Sequence, residues 1–564
     1  MLSRLKTYVS RFTGVERRLL LLLFLVFVAS VAFSVWQGRR GQIEVPARGG
    51  EYTEGLVGEV RYINPLLAPA AATDADVSRI VFGSLYKFDD NLNLVADLAD
   101  GLPQVDPSGK EYTVKLRDNV FWHDGARFTA DDAVFTFGAI QDPKYVSPLR
   151  SSWNRVTVTK IDDLTLKLTT REASSTFVAN LTVGLLPKHI WGSEAPESFT
   201  ISKYNLEPVG TGPFRVTGLK RDRNGKIRSV MLEAFERYHG GRPNLDKLQF
   251  RLYDTPDQLV EAYQGRDIKG LGYVPFDQSL FIKAKASLQQ FQLPLPQYRA
   301  VFINRAKNPA PLEDVRVRLA LAKSVDKKRI VNEVYGGQTS EAYGPILPGH
   351  LGYHEQIPGA DMNIYDPERA KALLEEAGWI TDPTTGFRRD KLGRIITLEL
   401  ATNNFPLNAR MAAILKENWE GIGVQVMLNI ETSADLETKF IRPRAYELLL
   451  HSQNVGPDPD PFAFWHSTEL RDPGANFSTF SNKTADKLLV EARGPLSADE
   501  RAKRYRQFQE ILVGDVPAIF LTRDVFVYNV SSAIKGLKLG TIVTPADRFG
   551  NISEWYIETK RVKK

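Results

Sequence analysis

Residues 121–135 constrain their own local fold more tightly than any other stretch of this 564-residue chain. They follow a β-rich alternation at residues 112–117, and the Asp-Gly pair at positions 124 and 125 is typical of a tight turn. Thr129 then occupies the position of a helix N-cap, with acidic residues in the first turn to complement the helix dipole. The pattern predicts a strand, a tight turn and a capped helix in succession.

An apolar run near the N-terminus indicates where the protein resides. Residues 19–36 carry no charge and are interrupted only by Ser30 and Ser34, so the run is just long enough to cross a bilayer core. Basic residues precede it, so the positive-inside rule places residues 1–18 in the cytoplasm and the bulk of the chain outside. We expect a single-pass signal anchor in the cell membrane and a linker at 37–52. A cleaved signal peptide is the alternative.

Charge and cysteine content narrow the function classes. The chain has 73 basic and 67 acidic residues, and residues 1–40 alone hold seven basic residues against one acid. The remainder is therefore electrically neutral, so the net charge of +6 reflects the anchor region and not a nucleic-acid surface. Because the chain has no cysteine, thiol chemistry, disulfides and a lipid anchor on cysteine are all excluded.

The rest of the chain alternates between strand and helix patterns. About 510 residues follow the anchor and linker, more than one hydrophobic core usually serves, so two lobes are expected. Alternating β-branched residues at 155–160 and 164–168 indicate strands. Strand-like runs at 395–400 and 446–450 flank a helix near 408–420. This alternation is typical of an α/β lobe.

Two further helices have clear end signals. The helix at 366–377 has Asp366 as its N-cap, Pro367 at its first position and Gly378 as its stop. A longer helix is predicted over residues 315–335, and the Gly-Gly pair that follows ends it.

Five motifs occur in the order in which one protein family carries them. They are residues 116–135, Val209-Gly210-Thr211-Gly212-Pro213-Phe214, and the segments 301–304, 314–326 and 365–379. Together they resemble the extracellular solute-binding proteins of ABC importers, family 5, the peptide and nickel class that includes oligopeptide- and dipeptide-binding proteins. The resemblance covers almost all of residues 53–530. Asn119 departs from it, since the family usually has glycine there.

The resemblance implies an α/β, periplasmic-binding-protein-like fold in which two lobes close on a solute like a Venus flytrap. Lobe I would hold residues 51–298 and 525–564, lobe II residues 299–524, with hinge crossings near 298–304 and 520–527. A ligand that contacts both lobes only when they are closed shifts the open–closed equilibrium. The implied monomer captures a peptide or similar solute and delivers it to a membrane permease and its ATPase.

Two positions in lobe II carry the argument about the ligand. The resemblance implies that dipeptide binders hold the peptide amine with an Asp after the 446–450 strand, and the carboxylate with an Arg ahead of the 408–420 helix. Asn454 and Asn403 stand near those places, so both charged clamps are predicted to be absent. Amide side chains still pair with the backbone of an extended ligand, which favours a longer peptide or a different solute.

The other candidate ligand-binding residues each have a structural alternative. Asp458 and Asp460 are either cation acceptors in the cleft or caps and turns in an Asp-Pro loop. Asn304 bonds either to ligand or across the hinge. The aromatic residues that are candidates for the cleft wall, and are equally compatible with core positions, are Phe405, Trp465, Trp153 and Tyr298.

No catalytic constellation accompanies these residues. The sequence has seven histidines and contains no G-x-S-x-G, H-E-x-x-H, Walker A or G-x-G-x-x-G motif. His350 and His354 are four residues apart, but the prolines and glycines around them oppose a helical metal site. We predict no enzyme activity, no cofactor and no metal site. Two alternatives stay open, a membrane-anchored ligand sensor or receptor with the same fold and a binder of a chelated metal.

Overall fold

The computed structural model describes residues 13–39, 42–153, 155–174, 176–274 and 288–563, apart from the side chains of Arg17, residues 34–42 and Lys563. Residues 1–12 of the predicted cytoplasmic segment lie outside this part. The strands are β1 Gln42–Pro46, β2 Glu51–Val57, β3 Tyr86–Phe88, β4 Leu94–Ala96, β5 Gln104–Val105, β6 Glu111–Lys115, β7 Val156–Asp162, β8 Thr165–Thr170, β9 Phe214–Arg221, β10 Ile227–Ala234, β11 Lys247–Tyr253, β12 Gly270–Leu271, β13 Leu288–Ile303, β14 Ile380–Thr381, β15 Arg388–Arg389, β16 Thr397–Asn403, β17 Gln425–Glu431, β18 Leu448–Asn454, β19 Ala518–Ser531 and β20 Thr559–Lys563. The longer helices are α1 Gly14–Arg39, α2 Ala72–Val81, α3 Ala130–Gln141, α4 Pro256–Gln264, α5 Val315–Lys323, α6 Lys327–Tyr335, α7 Pro367–Glu376, α8 Pro406–Glu420, α9 Lys483–Ala492 and α10 Ala498–Asp515.

A ten-stranded mixed sheet runs through the molecule in the order β17-β16-β18-β13-β19-β12-β2-β11-β10-β9. Its two longest strands, β13 and β19, are antiparallel and pair on both sides of a register break. The break falls between the pairs Pro294–Val525 and Tyr298–Arg523, so three residues of β13 stand opposite the single residue Asp524. Such a bulge bends a strand locally.

Two hydrophobic cores lie on either side of this break. One is built from residues up to Leu293 together with residues from Phe526 onward, and the other from residues between Tyr298 and Leu521. Both chain crossings between the cores therefore belong to paired strands of one sheet. We use the predicted bounds as working definitions of lobe I and lobe II, and the bounds themselves stay predictions.

The predicted strand, turn and capped helix are present within lobe I. β6 belongs to a small antiparallel sheet of order β5-β6-β8-β7, and Gly125 in the turn has a φ of +95°. Helix α3 starts after Thr129, whose backbone N–H donates to Asp132 Oδ2 at 2.9 Å in a capping box. The acid in the first turn therefore satisfies a backbone donor as well as complementing the helix dipole.

One predicted helix divides in two. The chain forms α5 and α6 in place of a single helix over 315–335, because the side chain of Asp326 accepts a hydrogen bond from Arg329 N at 2.9 Å and caps a new helix. The predicted helix at 366–377 is confirmed as α7, capped by Asp366 and followed by Gly378 with a φ of +89°. The strand predicted at 446–450 continues to Asn454.

The N-terminal helix is followed closely by a strand. Helix α1 has 26 residues, and its described apolar side chains, such as Leu22 and Phe27, are exposed. Within the described part of the chain, no helix is both long and apolar enough to cross a membrane. Residues 42–46 of the predicted linker form β1, because the antiparallel strand β20 supplies a pairing edge.

Candidate functional site

The candidate site is a cavity of about 460 Å³ between the lobes. One wall comes from residues 152–180 around the small sheet of lobe I, and the other from residues 455–460 of lobe II. Close by, a Cβ built on Gly109 would lie 3.6 Å from Cβ of Pro495, so the lobes approach van der Waals contact there. The two lobes therefore face each other across an open cleft.

A second cavity, which we call the lobe I chamber, adjoins the first. It has a volume of about 550 Å³ and shares Ser152, Ala179 and Asn180 with the interlobe cavity. Its wall is mostly apolar and includes the alanines at positions 68, 70, 71, 72 and 75 and the rings of Phe82, Phe88 and Trp153. Apolar walls with a few placed polar groups are typical of solute sites.

A buried ionic network supports one side of this chamber. The fully buried guanidinium of Arg548 donates to both carboxylate oxygens of Asp76 at 2.7 Å and to Glu54 Oε1 at 2.9 Å. Glu54 also accepts a hydrogen bond from Tyr528 Oη at 2.8 Å. Asp76 lies on α2, and α2 and residues 543–547 both line the chamber, so the network fixes two of its walls.

Asp458 and Asp460 line the interlobe cavity, but their charges are already compensated. Asp458 Oδ2 accepts from Arg501 Nη1 at 2.7 Å, and Asp460 Oδ2 accepts from Arg493 Nε at 2.7 Å. Each carboxylate also accepts a backbone N–H two residues later, as the turn-cap alternative requires. As free cation acceptors they are poorly suited, because a ligand cation would have to compete with an arginine.

The predicted amide positions lie outside the lining of both cavities. Asn454, exposed at the end of β18, accepts Gly456 N at 2.9 Å. Asn403, buried at the end of β16, accepts Asn408 Nδ2 at 2.7 Å, and Phe405 beside it is exposed. Asn408 in turn accepts from Arg299, a residue of β13 that pairs with Asp524 at 2.9 Å. Contact of these residues with ligand stays a prediction.

The remaining candidates are held in the protein interior. Asn304 donates to the carbonyl of Arg444 at 3.0 Å and accepts from Thr479 at 3.2 Å, so it fastens two loops of lobe II. Trp465 is 1 % exposed within the core of lobe II, and Tyr298 is buried against Gln453. Trp153 is equally buried, stacks on Phe137 with ring centroids 4.2 Å apart, and lines the lobe I chamber with one edge.

Sequence reasoning missed two groups of wall residues. The alanines at positions 68, 70, 71, 72 and 75 have small side chains that leave room for the lobe I chamber. The alanine-rich run was the sequence signal that could have indicated this cavity. Arg155 and Arg171 line the interlobe cavity at the ends of β7 and β8. No local pattern marks them, because strand pairing brings them together. Among the described residues, no three His, Asp or Glu side chains are grouped to hold a metal ion.

The chain is similar to known solute-binding proteins. The family model of bacterial extracellular solute-binding proteins, family 5 Middle, matches residues 93–475. The oligopeptide-binding protein AppA of Bacillus subtilis is 27% identical over 518 residues, covering 91% of this chain and 92% of the relative. The dipeptide-binding protein of Escherichia coli is 28% identical over 476 residues, covering 80% and 84%.

Solved structures share the fold. AppA from Bacillus subtilis in complex with a nonapeptide has a TM-score of 0.69 at 25% identity, covering 91% of this chain and all of that one. NikZ from Campylobacter jejuni in complex with Ni(L-His) has a TM-score of 0.70 at 26% identity, covering 90% and 99%. CtaP from Listeria monocytogenes reaches 0.76 at 25% identity, covering 91% and 100%.

Proposed function

This chain belongs to the bacterial extracellular solute-binding proteins, family 5, and we propose that it captures peptides between its two lobes for an ABC importer. It is a binding protein and not an enzyme. The observation that carries the proposal is the interlobe cavity, whose walls come from both lobes and which shares lining residues with the lobe I chamber. A solute held there contacts both lobes only in the closed state, so binding favours closure.

The size of the two cavities supports a ligand longer than a dipeptide. Volumes of about 460 and 550 Å³ each fall within the range of roughly 300–1,000 Å³ that a whole ligand site usually occupies. One relative, AppA of Bacillus subtilis, supports the same class, since it is named an oligopeptide-binding protein and was solved with a nonapeptide. We therefore favour oligopeptides as the solute.

We also propose that the apolar run of residues 19–36, which extends beyond the side chains that the structure describes, anchors the protein in the cell membrane, with the folded body on the extracytoplasmic side. Support comes from the apolar residues 19–36, from the exposure of the described side chains of α1, and from the basic residues ahead of it. α1 ends at Arg39 and β1 begins at Gln42, so the body would sit close to the membrane surface.

Peptide retention tests the function directly. The full chain, purified in detergent, is incubated with random peptide pools from dipeptides to nonapeptides, washed, and analysed by mass spectrometry for bound peptide. We expect retention of peptides longer than dipeptides, and a smaller radius of gyration in scattering once they are bound. A ligand at a hundredfold excess over Kd should raise the free energy of unfolding by about 2.7 kcal/mol. Failure to retain any pool would overturn the proposal.

A further inference from the structure

Two arginines meet at the rim of the interlobe cavity. β7 and β8 are antiparallel neighbours, and their last registered pair at this end is Val156–Thr170. Arg155 and Arg171 are the next residues along the two chains, and both line the cavity. Strand pairing therefore brings two positive charges to adjacent places on one wall.

Among the residues that the structure describes, neither guanidinium has a partner that would compensate its charge. Both side chains are exposed, and neither makes a hydrogen bond or an ion pair with any residue that the structure describes. Like charges at opposite positions of neighbouring strands destabilise a sheet. An anion bound between them would remove that repulsion, because it would interact favourably with both.

The other charges of the cavity leave the lobe I wall with a net positive charge. Asp458 and Asp460 on the opposite wall are bound by Arg501 and Arg493, which lie outside the cavity lining. Glu172 also lines the cavity but makes no ion pair with a described residue, so it balances at most one of the two arginines. The wall formed by lobe I therefore attracts negative charge.

We propose that Arg155 and Arg171 form an anion subsite that binds a carboxylate of the solute. The inference rests on the proposed function and adds to it the chemical class of the ligand, a peptide with a free C-terminal carboxylate or an acidic side chain. Guanidinium groups suit this task, because their donors match a carboxylate in a bidentate arrangement. The subsite belongs to lobe I, whereas the amides at positions 403 and 454 belong to lobe II.

Three hexapeptide pools test the subsite on the full chain in detergent. The first has free C-termini and no acidic residues, the second is the same pool amidated at the C-terminus, and the third is amidated and carries one Glu at a random position. Retention is measured for the wild-type chain, for Arg155→Ala and Arg171→Ala, and for Arg223→Ala. Arg223 is the matched control, an exposed arginine in the β9–β10 turn that lines neither cavity.

We expect the wild-type chain to bind at least one carboxylate-bearing pool about tenfold more tightly than the neutral amidated pool. Preference for the first pool would identify the C-terminal carboxylate, and preference for the third an acidic side chain. Each cavity variant should lose this preference, and Arg223→Ala should keep it. Equal retention of all three pools by the wild-type chain, or an unchanged preference in both cavity variants, would overturn the subsite and leave the proposed function standing. Absence of all retention would instead overturn the proposed function.

Discussion

The imidazole of His123 joins two sequence motifs that lie 87 residues apart. Gly210 N donates to His123 Nδ1 at 3.2 Å, so Nε2 carries the proton and donates to the carbonyl of Gly212 at 3.0 Å. A Cβ on Gly210 or Gly212 would lie 1.9 or 2.2 Å from the carbonyl oxygens of Val81 and Ile80, so both positions require glycine. These motif residues therefore hold lobe I together.

The neutral state of His123 should make folding depend on pH. Burial lowers its pKa to about 4, below the ordinary value of 6.5, so the unfolded chain takes up a proton first as the pH falls. Its contribution is complete above about pH 6.5 and should fall by on the order of 3 kcal/mol as the pH approaches 4. Denaturant titrations at several pH values should show a shallower decline for His123→Gln than for the wild-type chain. Parallel curves would contradict this assignment.

Loss of Arg548 should strongly lower the stability of lobe I. Arg548→Met would leave Glu54 and Asp76 buried without their cation, which typically lowers the free energy of unfolding by about 3–5 kcal/mol. Urea denaturation of the full chain measures the change. The exposed Arg223→Met provides the control and should stay within about 0.5 kcal/mol of the wild-type chain. A small effect at Arg548 would show that the two carboxyl groups tolerate the loss.

At the scale of elements, the helix caps could be predicted from the sequence, whereas the pairing of strands and the packing of helices could not. The caps at Thr129 and Asp366 depend on residues within one helical turn, so sequence reasoning identified both helices. The cap at Asp326 was equally local, but the apolar pattern across residues 315–335 concealed the break between α5 and α6. The walls of both cavities depend on which strands and helices pack together, and that information is distributed over the whole chain.

Filling the lobe I chamber should change binding without unfolding the protein. Ala75 lies on the face of α2 that lines the chamber and is only half-buried, so Ala75→Leu adds volume toward the empty space. We expect affinity for peptides with large side chains to fall about tenfold, which corresponds to 1.4 kcal/mol, with thermal stability nearly unchanged. The control is Ala498→Leu at an exposed position of α10. Equal affinities for the two variants would place the peptide outside the chamber.

At the scale of the whole molecule, the two cores are joined by strands and not by loose loops. β13 and β19 cross together, and their register break lies between the cores. The ion pair of Arg299 with Asp524 spans the two strands beside that break. The proposed closure therefore has to bend this paired ribbon.

A bulky residue at the contact between the lobes should oppose closure. Pro495 of lobe II lies close to Gly109 of lobe I, so Pro495→Trp would insert a large ring where the lobes meet. We expect the variant to bind retained peptides at least about tenfold more weakly and to keep a larger radius of gyration in their presence. Pro383→Trp, in the exposed β14–β15 turn, serves as the control. Full compaction of the Pro495 variant with ligand would show that this contact does not limit closure.

The pairing of β1 with β20 has a mechanical consequence. Both strands are fastened to lobe I, where Ala47 N donates to Glu558 O at 2.9 Å and Gly49 N to Asn244 O at 2.8 Å. Whatever restrains the chain through α1 therefore restrains lobe I, so in the proposed closure lobe II is the part that moves. A fluorophore on lobe II would travel during closure, whereas one beside β20 would stay still.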